Sequence, residues 1–175
     1  GVNLYPKDIN LLIGLAHLLH RTALEEQAEP LYQKVLKIHP NNAPAHLGLA
    51  EIDHALGFLD RSTSHYEKAL ETMSGDAPVW RAYAEVLLEA RDYKTAELAI
   101  AKAIELSPDN APRVVLAFIQ RAGGRLPEAI ATLAAAFDRE PRRRDLALAR
   151  ALWLIEAERF PEALPPAEAV LKEAP

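Results

Sequence analysis

Three histidines, His17, His20 and His54, come nearest in type and spacing to a reactive or metal-binding set. On a helix His17 and His20 lie one turn apart, and imidazoles so placed can share a metal ion. No Asp or Glu stands at a spacing that completes a recognised ligand set. The expectation is therefore histidines that face solvent or a ligand, with no metal and no cofactor. Asp53 and His54 are adjacent in sequence and point to different helix faces. Ser62, Ser64, Ser74 and Ser107 lack the strand-turn-helix setting of an activated nucleophile. Gly123-Gly124 is the size of a turn and lacks the spacing of a phosphate-cradling loop. The chain has no cysteine, which removes thiolate nucleophiles, thiolate metal sites and disulfides. No set of groups assembles into a catalytic constellation, so the chain is expected not to be an enzyme.

Charge narrows the class of partner. From residue 113 to 150 eight arginines, Arg139, Arg142, Arg143 and Arg144 among them, stand against four acids, an excess of +4. The rest of the chain must then carry −9 to reach the formal net charge of −5. Such asymmetry can steer an acidic partner to one end, although charge runs at turns are most often simply solvated. A net acidic chain is the reverse of what phosphate neutralisation requires, so no nucleic-acid partner is expected. With 175 residues, 50% hydrophobic and 26% charged, the chain is long enough to bury a core and is not a disordered composition. The longest apolar runs, such as Val114 to Ile119, are far short of the roughly 18 residues of a membrane span, so no direct membrane insertion is expected. Gly1 to Pro6 has no basic start followed by an apolar stretch, as a secretory signal would. A soluble protein of the cytoplasm or the periplasm is expected.

What positions these residues is a repeat, and the prolines give its phase. Pro6 to Pro40 is 34 residues, Pro40 to Pro108 is twice that, Pro108 to Pro141 is 33, and Pro141 to Pro175 is 34 again. The one missing mark falls at Ser74-Gly75-Asp76, where Gly stops a helix as Pro does. With the proline taken as position 32, position 20 is Ala28, Ser62, Ala96, Ala129 and Ala163, all small enough for two helices to approach closely. Position 24 is Tyr32, Tyr66, Ile100, Leu133 and Ala167, and position 27 is Val35, Ala69, Ala103, Ala136 and Val170. These share one helix face. Position 8, on the first helix, is read as Ala16, Ala50, Ala84, Phe118 and Ala151.

The pattern resembles the tetratricopeptide repeat (TPR), most closely at Trp80, Tyr83-Ala84, Leu87, Ala96, Ile100, Ala103 and Pro108, and it covers essentially the whole chain. The resemblance implies an all-α fold, a right-handed superhelical solenoid of antiparallel helix hairpins. As one domain over 1–175 its units would be 9–42, 43–76, 77–110, 111–143 and 144–175, with 1–6 the end of a preceding repeat. Local signals fit: Asp8 as a cap, Thr22 with Glu25 as a capping box, and Pro44, Pro78 and Pro112 in first turns. Pro127 and Pro161 stand likewise at the starts of second helices. Unit four is one residue short, and the shortage is expected as a truncated first helix and loosened turn before Gly123-Gly124. Pro30 and Pro165-Pro166 are expected to bend their second helices or delay their start.

In this family the first helices line a concave groove, with repeat positions 2, 5, 9, 12 and 13 usually facing it. Carried over, the partner-binding residues are Asn10, His17, His20 and Arg21, then Glu51 and His54, then Arg81, Glu85 and Glu89, with Ile13, Leu47 and Leu88 beside them. Units four and five contribute Val115, Ile119, Leu148, Leu152 and Ile155, making that end of the groove greasy or, alternatively, covered by a further repeat. The clamp with which co-chaperones of this family hold chaperone tails is absent, since Ile13, His17, Gly48, Pro78 and Ala82 occupy its places. The resemblance implies a protein or peptide partner, and the groove histidines could make its binding pH-sensitive. The expected function is a bacterial protein-interaction scaffold, cut from a longer array, that binds a partner peptide or helix in its groove. The alternatives are the periplasmic repeat region of a cell-envelope or exopolysaccharide export protein, or a regulatory arm of an enzyme whose catalytic domain lies elsewhere. Self-association through open solenoid ends is a further possibility.

Overall fold

The computed structural model describes residues 8–172, so the expected preceding repeat at 1–6 and the closing Pro175 lie outside the described residues. The described residues hold ten α-helices and no strand: α1 Ile9–Arg21, α2 Glu25–Ile38, α3 Ala43–Ala55, α4 Leu59–Leu70, α5 Ala77–Glu89, α6 Tyr93–Leu106, α7 Ala111–Ala122, α8 Leu126–Arg139, α9 Arg144–Glu156 and α10 Phe160–Lys172. They fall into two compact units, 1–90 with α1 to α5 and 91–175 with α6 to α10. In the first, α1 pairs with α2 and α3 with α4, and α5 packs on α4; in the second, α7 pairs with α8 and α9 with α10, and α6 packs on α7.

The helices start where side-chain acceptors can hold their unpaired amides. Asp8 accepts from the Leu11 amide at 3.1 Å, Asn42 from Ala45 at 2.9 Å, Asp76 from Val79 at 3.2 Å and Asp92 from Thr95 at 3.1 Å. Pro44, Pro78, Pro112 and Pro127 sit in first turns, where a missing donor removes no bond. The capping box expected at Thr22 does not form. α2 begins at Glu25, so Thr22 is too far upstream, and its hydroxyl donates instead to the Leu18 and Leu19 carbonyls at the end of α1. Nor do the interior prolines delay their helices: Pro30 lies inside α2, and Pro165 and Pro166 inside α10. Pro30 removes the hydrogen bond to the Glu26 carbonyl, and both residues are exposed, so water can replace it.

Each hairpin turns through a residue with positive φ: Ala23 at 57°, Gly57 at 79°, Arg91 at 63°, Gly124 at 79° and Glu158 at 58°. These fall 34, 34, 33 and 34 residues apart, so the missing residue of the fourth unit precedes Gly124. It also precedes the core of α7. Ala117, not Phe118, fills the buried small place at 0% exposure, while Phe118 is 42% exposed. The turn itself is not loosened, because the bonds Gly124 to Arg121 (3.0 Å) and Arg125 to Gln120 (2.8 Å) match Gly57 to His54 (2.9 Å) and Phe58 to Asp53 (2.8 Å). The shortage sits at Asn110. Its side chain makes no cap bond, is buried, and donates to the Ala136 carbonyl at 2.7 Å.

Two cores follow from the repeated positions. In the first unit Leu12, Ala16, Ala28, Tyr32, Val35, Leu49 and Ile52 pack together; in the second, Ala117, Ala129, Leu133, Ala136, Trp153, Leu154 and Ala163. The small residues at position 20 are buried in every unit, and the Ser62 hydroxyl that replaces a methyl there donates to the Ala50 carbonyl at 2.7 Å. Positions 24 and 27 are buried in the first four units, but Ala167 and Val170 are only half-buried in the fifth.

Candidate functional site

In the first unit the expected contact residues are spread over α1, α3 and α5 as the repeat phase requires. Asn10, His17 and Arg21 on α1 are exposed, and so is Glu89; His20, Glu51, His54, Arg81 and Glu85 are half-buried. Ion pairs join three groups of them. His20 stands 3.8 Å from both Glu51 and Glu25, His54 meets Glu89 at 2.9 Å, and Arg81 meets Glu85 one turn on at 2.5 Å. His20 to Glu51 links α1 to α3, and His54 to Glu89 links α3 to α5. Pairs this exposed add about 0–1 kcal/mol each, so they shape the surface more than they hold the fold.

Between α1 and α3 this face opens into a cavity of about 150 Å³, lined by Ile13, His17, Tyr32, Pro44, Leu47, Gly48, Glu51 and Met73. Gly48 accounts for its shape. A Cβ there would lie 2.2 Å from the Tyr32 ring, so only the glycine lets the ring pack against α3. The asparagine of a chaperone-tail clamp at this place would collide with that ring. Burial, and then the Glu51 carboxylate, push the Tyr32 phenol up to about 12, which keeps it neutral.

Behind the face lies a polar chain absent from the sequence reading. His46 is buried and has one ring nitrogen, Nε2, 2.8 Å from the Pro40 carbonyl, to which it must donate. Its Nδ1 is 2.9 Å from Nδ1 of His65, so those two nitrogens share one proton. His65 Nε2 is 3.9 Å from Asp53 Oδ2, and the other oxygen of this 1% exposed carboxylate meets Arg61 at 2.9 Å. Arg61 also reaches Glu29 at 3.3 Å. Desolvation and the neighbouring His46 and Arg61 hold the His65 imidazole below its ordinary range, with Glu29 opposing. Desolvation pushes the Asp53 carboxyl up; Arg61 draws it down and Glu29 up. Aligned repeats carry the signal that could have found this chain of groups. Asp53 stands at position 11, where the other units have Leu19, Leu87, Gln120 and Leu154, and His65 faces it from position 23. The fourth unit uses the same two positions for the 2.8 Å bond from Thr132 to Gln120.

The second unit repeats the surface arrangement with different chemistry. Arg121 on α7 meets Glu156 on α9 at 2.8 Å, and its guanidinium lies 5.4 Å from the centre of the Trp153 ring. Leu148, Leu152 and Ile155 form a stripe along α9 at 48%, 54% and 48% exposure, and Phe118 is exposed beside Trp153. Ile119, expected on this face, is fully buried, and Val115 is half-buried. The one-residue shift at Asn110 turns Ile119 inward and puts Phe118 and Arg121 outside.

Profiles of the tetratricopeptide repeat match residues 25–86 and 116–175. No curated protein matches the chain. Among solved structures, YrrB, described as a TPR protein with an unusual peptide-binding site, shares 22% identity at a TM-score of 0.81, over 98% of this chain and 89% of its own. MamA from Desulfovibrio magneticus RS-1 shares 16% identity at a TM-score of 0.86, over 95% and 94%. A tetratricopeptide repeat protein from Parabacteroides merdae shares 18% at 0.84, over 99% and 70%. Identities this low carry the fold, and the fold is that of TPR superhelical solenoids. With the ten helices of the described residues, its repeat phase and both profile matches, the chain belongs to the tetratricopeptide repeat family.

Proposed function

We propose that the chain is a protein-interaction scaffold whose first unit holds a segment of a partner protein along the face of α1, α3 and α5. The observation that carries this reading is the open cavity between α1 and α3, with exposed or half-buried charged groups on the same helices. Apolar recesses beside charged groups anchor side chains and fix the register of a bound peptide. The contacts are Asn10, His17, His20, Arg21, Glu51, His54, Arg81, Glu85 and Glu89. That YrrB, of similar fold, is described as having an unusual peptide-binding site supports a peptide as the kind of ligand. His20 with Glu51, His54 with Glu89 and Arg81 with Glu85 lie in ion pairs on this face, as suits binding, and catalysis is not part of the proposal.

The test is selection of binders from a displayed library of random dodecapeptides. The selected peptides are then titrated against the parent chain and the double variant Arg81→Glu/Glu85→Lys. That exchange keeps the ion pair within α5 and reverses the charge pattern seen by a ligand, so the fold is spared. Affinity should fall at least tenfold with the helical content unchanged. If every selected peptide binds the double variant as tightly as the parent, the assignment of this face is wrong.

A further inference from the structure

The cavity between α1 and α3 has one wall that a socket for an aliphatic side chain does not need. Its floor is the Tyr32 ring, seated against Gly48. Ile13, Pro44, Leu47 and Met73 supply apolar walls, and Glu51 is its one acidic lining residue. The ion partner of Glu51, His20, stands at 3.8 Å, beyond hydrogen-bond reach, so the carboxylate keeps acceptor capacity for a ligand. We propose that this cavity is a lysine pocket: it takes the alkylammonium side chain of a lysine in the partner segment, with the stem on the apolar walls and the ammonium against Glu51.

The assignment rests on the groove reading above and names the side chain that the groove selects. A long methylene stem covers apolar walls while its head keeps a polar partner. An aliphatic occupant would strip water from Glu51 and return nothing to it. A carboxylate occupant would meet Glu51 as a like charge. The Glu51 field is already felt here, since it raises the phenols of both Tyr32 and Tyr66. Lysine suits the site better than arginine, because its compact head needs no planar fork of acceptors.

Met73 is the only methionine in the chain and lines the cavity, so a ¹³C-methyl-methionine label gives one signal from the site. The whole labelled chain is titrated at pH 8 with Nα-acetyl-lysine methylamide, and separately with the norleucine analogue, which has the same stem without the charge. Sodium chloride at equal ionic strength corrects for salt. The lysine probe should shift the Met73 methyl saturably, the norleucine probe should bind more weakly, and Glu51→Gln should weaken the lysine probe about fivefold. Equal response to both probes with no effect of Glu51→Gln overturns the lysine assignment and leaves the groove reading standing. No response to either probe also overturns it, and the groove reading is then judged by the peptides selected above. If those peptides bind but are insensitive to Arg81→Glu/Glu85→Lys, the groove reading falls independently.

Discussion

Gly48→Ala separates close packing from helix propensity, because the two predict opposite signs. Gly48 lies within α3, where alanine is favoured over glycine by about 1 kcal/mol on propensity alone. The added methyl, however, would stand 2.2, 2.4 and 2.6 Å from three carbons of the Tyr32 ring. The ring is 1% exposed, packed in the first core, and has no open side to retreat into. Overpacking of this kind costs about 1–3 kcal/mol, and the displacement of more than an ångström needed here belongs near the upper end. The two contributions leave a net destabilisation of about 1–2 kcal/mol. Gly14 is the internal control. It lies within α1, and nothing approaches its added methyl within 4 Å, so Gly14→Ala should stabilise by about 1 kcal/mol. Urea unfolding followed by circular dichroism measures both. The double variant Gly48→Ala/Tyr32→Leu should recover part of the loss, because a shorter side chain vacates the contact. If Gly48→Ala stabilises as Gly14→Ala does, the Tyr32 ring does not rest on α3, and the cavity floor described above is not there.

Other parts of the structure give further expectations. Arg91→Gly and Glu158→Gly should each stabilise by about 0.5–1 kcal/mol in urea unfolding, because both residues are exposed and hold a positive φ that strains a side chain. A loss of stability in both would mean that their side chains, not the backbone, hold the turns. His65 is held below its ordinary value of 6.5, so the unfolded chain takes up the proton first. Its contribution is present above that pH and lost as pH falls through the folded value; His65→Gln should flatten the decline, and an unchanged profile would remove His65 as its source. Leu154→Ala, at 1% exposure, should cost about 2–5 kcal/mol, while Leu152→Ala, at 54%, should cost little. If the α9 stripe docks a second copy, sedimentation should show a dimer that Leu152→Glu dissociates; a monomer at high concentration refutes that docking.

The repeat was legible because hairpin packing places the same demands on each unit. The small residues at position 20 are buried in all five units, and capping Asp or Asn side chains begin α1, α3, α5 and α6 where the chain leaves a turn. In the fourth unit the sequence places the missing residue before Gly123-Gly124, at the end of the first helix, whereas it falls at the start of that helix, before Ala117. Proline tolerates any place in a first turn, so it cannot fix phase to one residue. The positive-φ turn residues do fix it, but three of them are Ala23, Arg91 and Glu158, whose side chains do not announce such a conformation. The surface residues of the first unit were placed by that same phase. The cavity was not, because it depends on Tyr32 and Gly48 meeting from different hairpins, a contact that no spacing within one unit contains. The chain from His46 through His65 to Asp53 was overlooked for a different reason: each residue is ordinary alone, and only comparison across units shows polar groups in apolar places.

The corrected phase also exposes a correspondence between the two units. His54 precedes Glu89 by 35 residues and Arg121 precedes Glu156 by 35, and each pair links successive first helices on the same face. The second is fixed at any physiological pH, since a guanidinium does not release its proton. In the first the attraction is full only when the imidazole is charged. A partner segment that engages Glu89 must compete with His54 for that carboxylate, whereas one anchored only in the cavity does not. His54→Gln should therefore change the affinity of the first kind of peptide and spare the second, and an equal effect on both would break the correspondence.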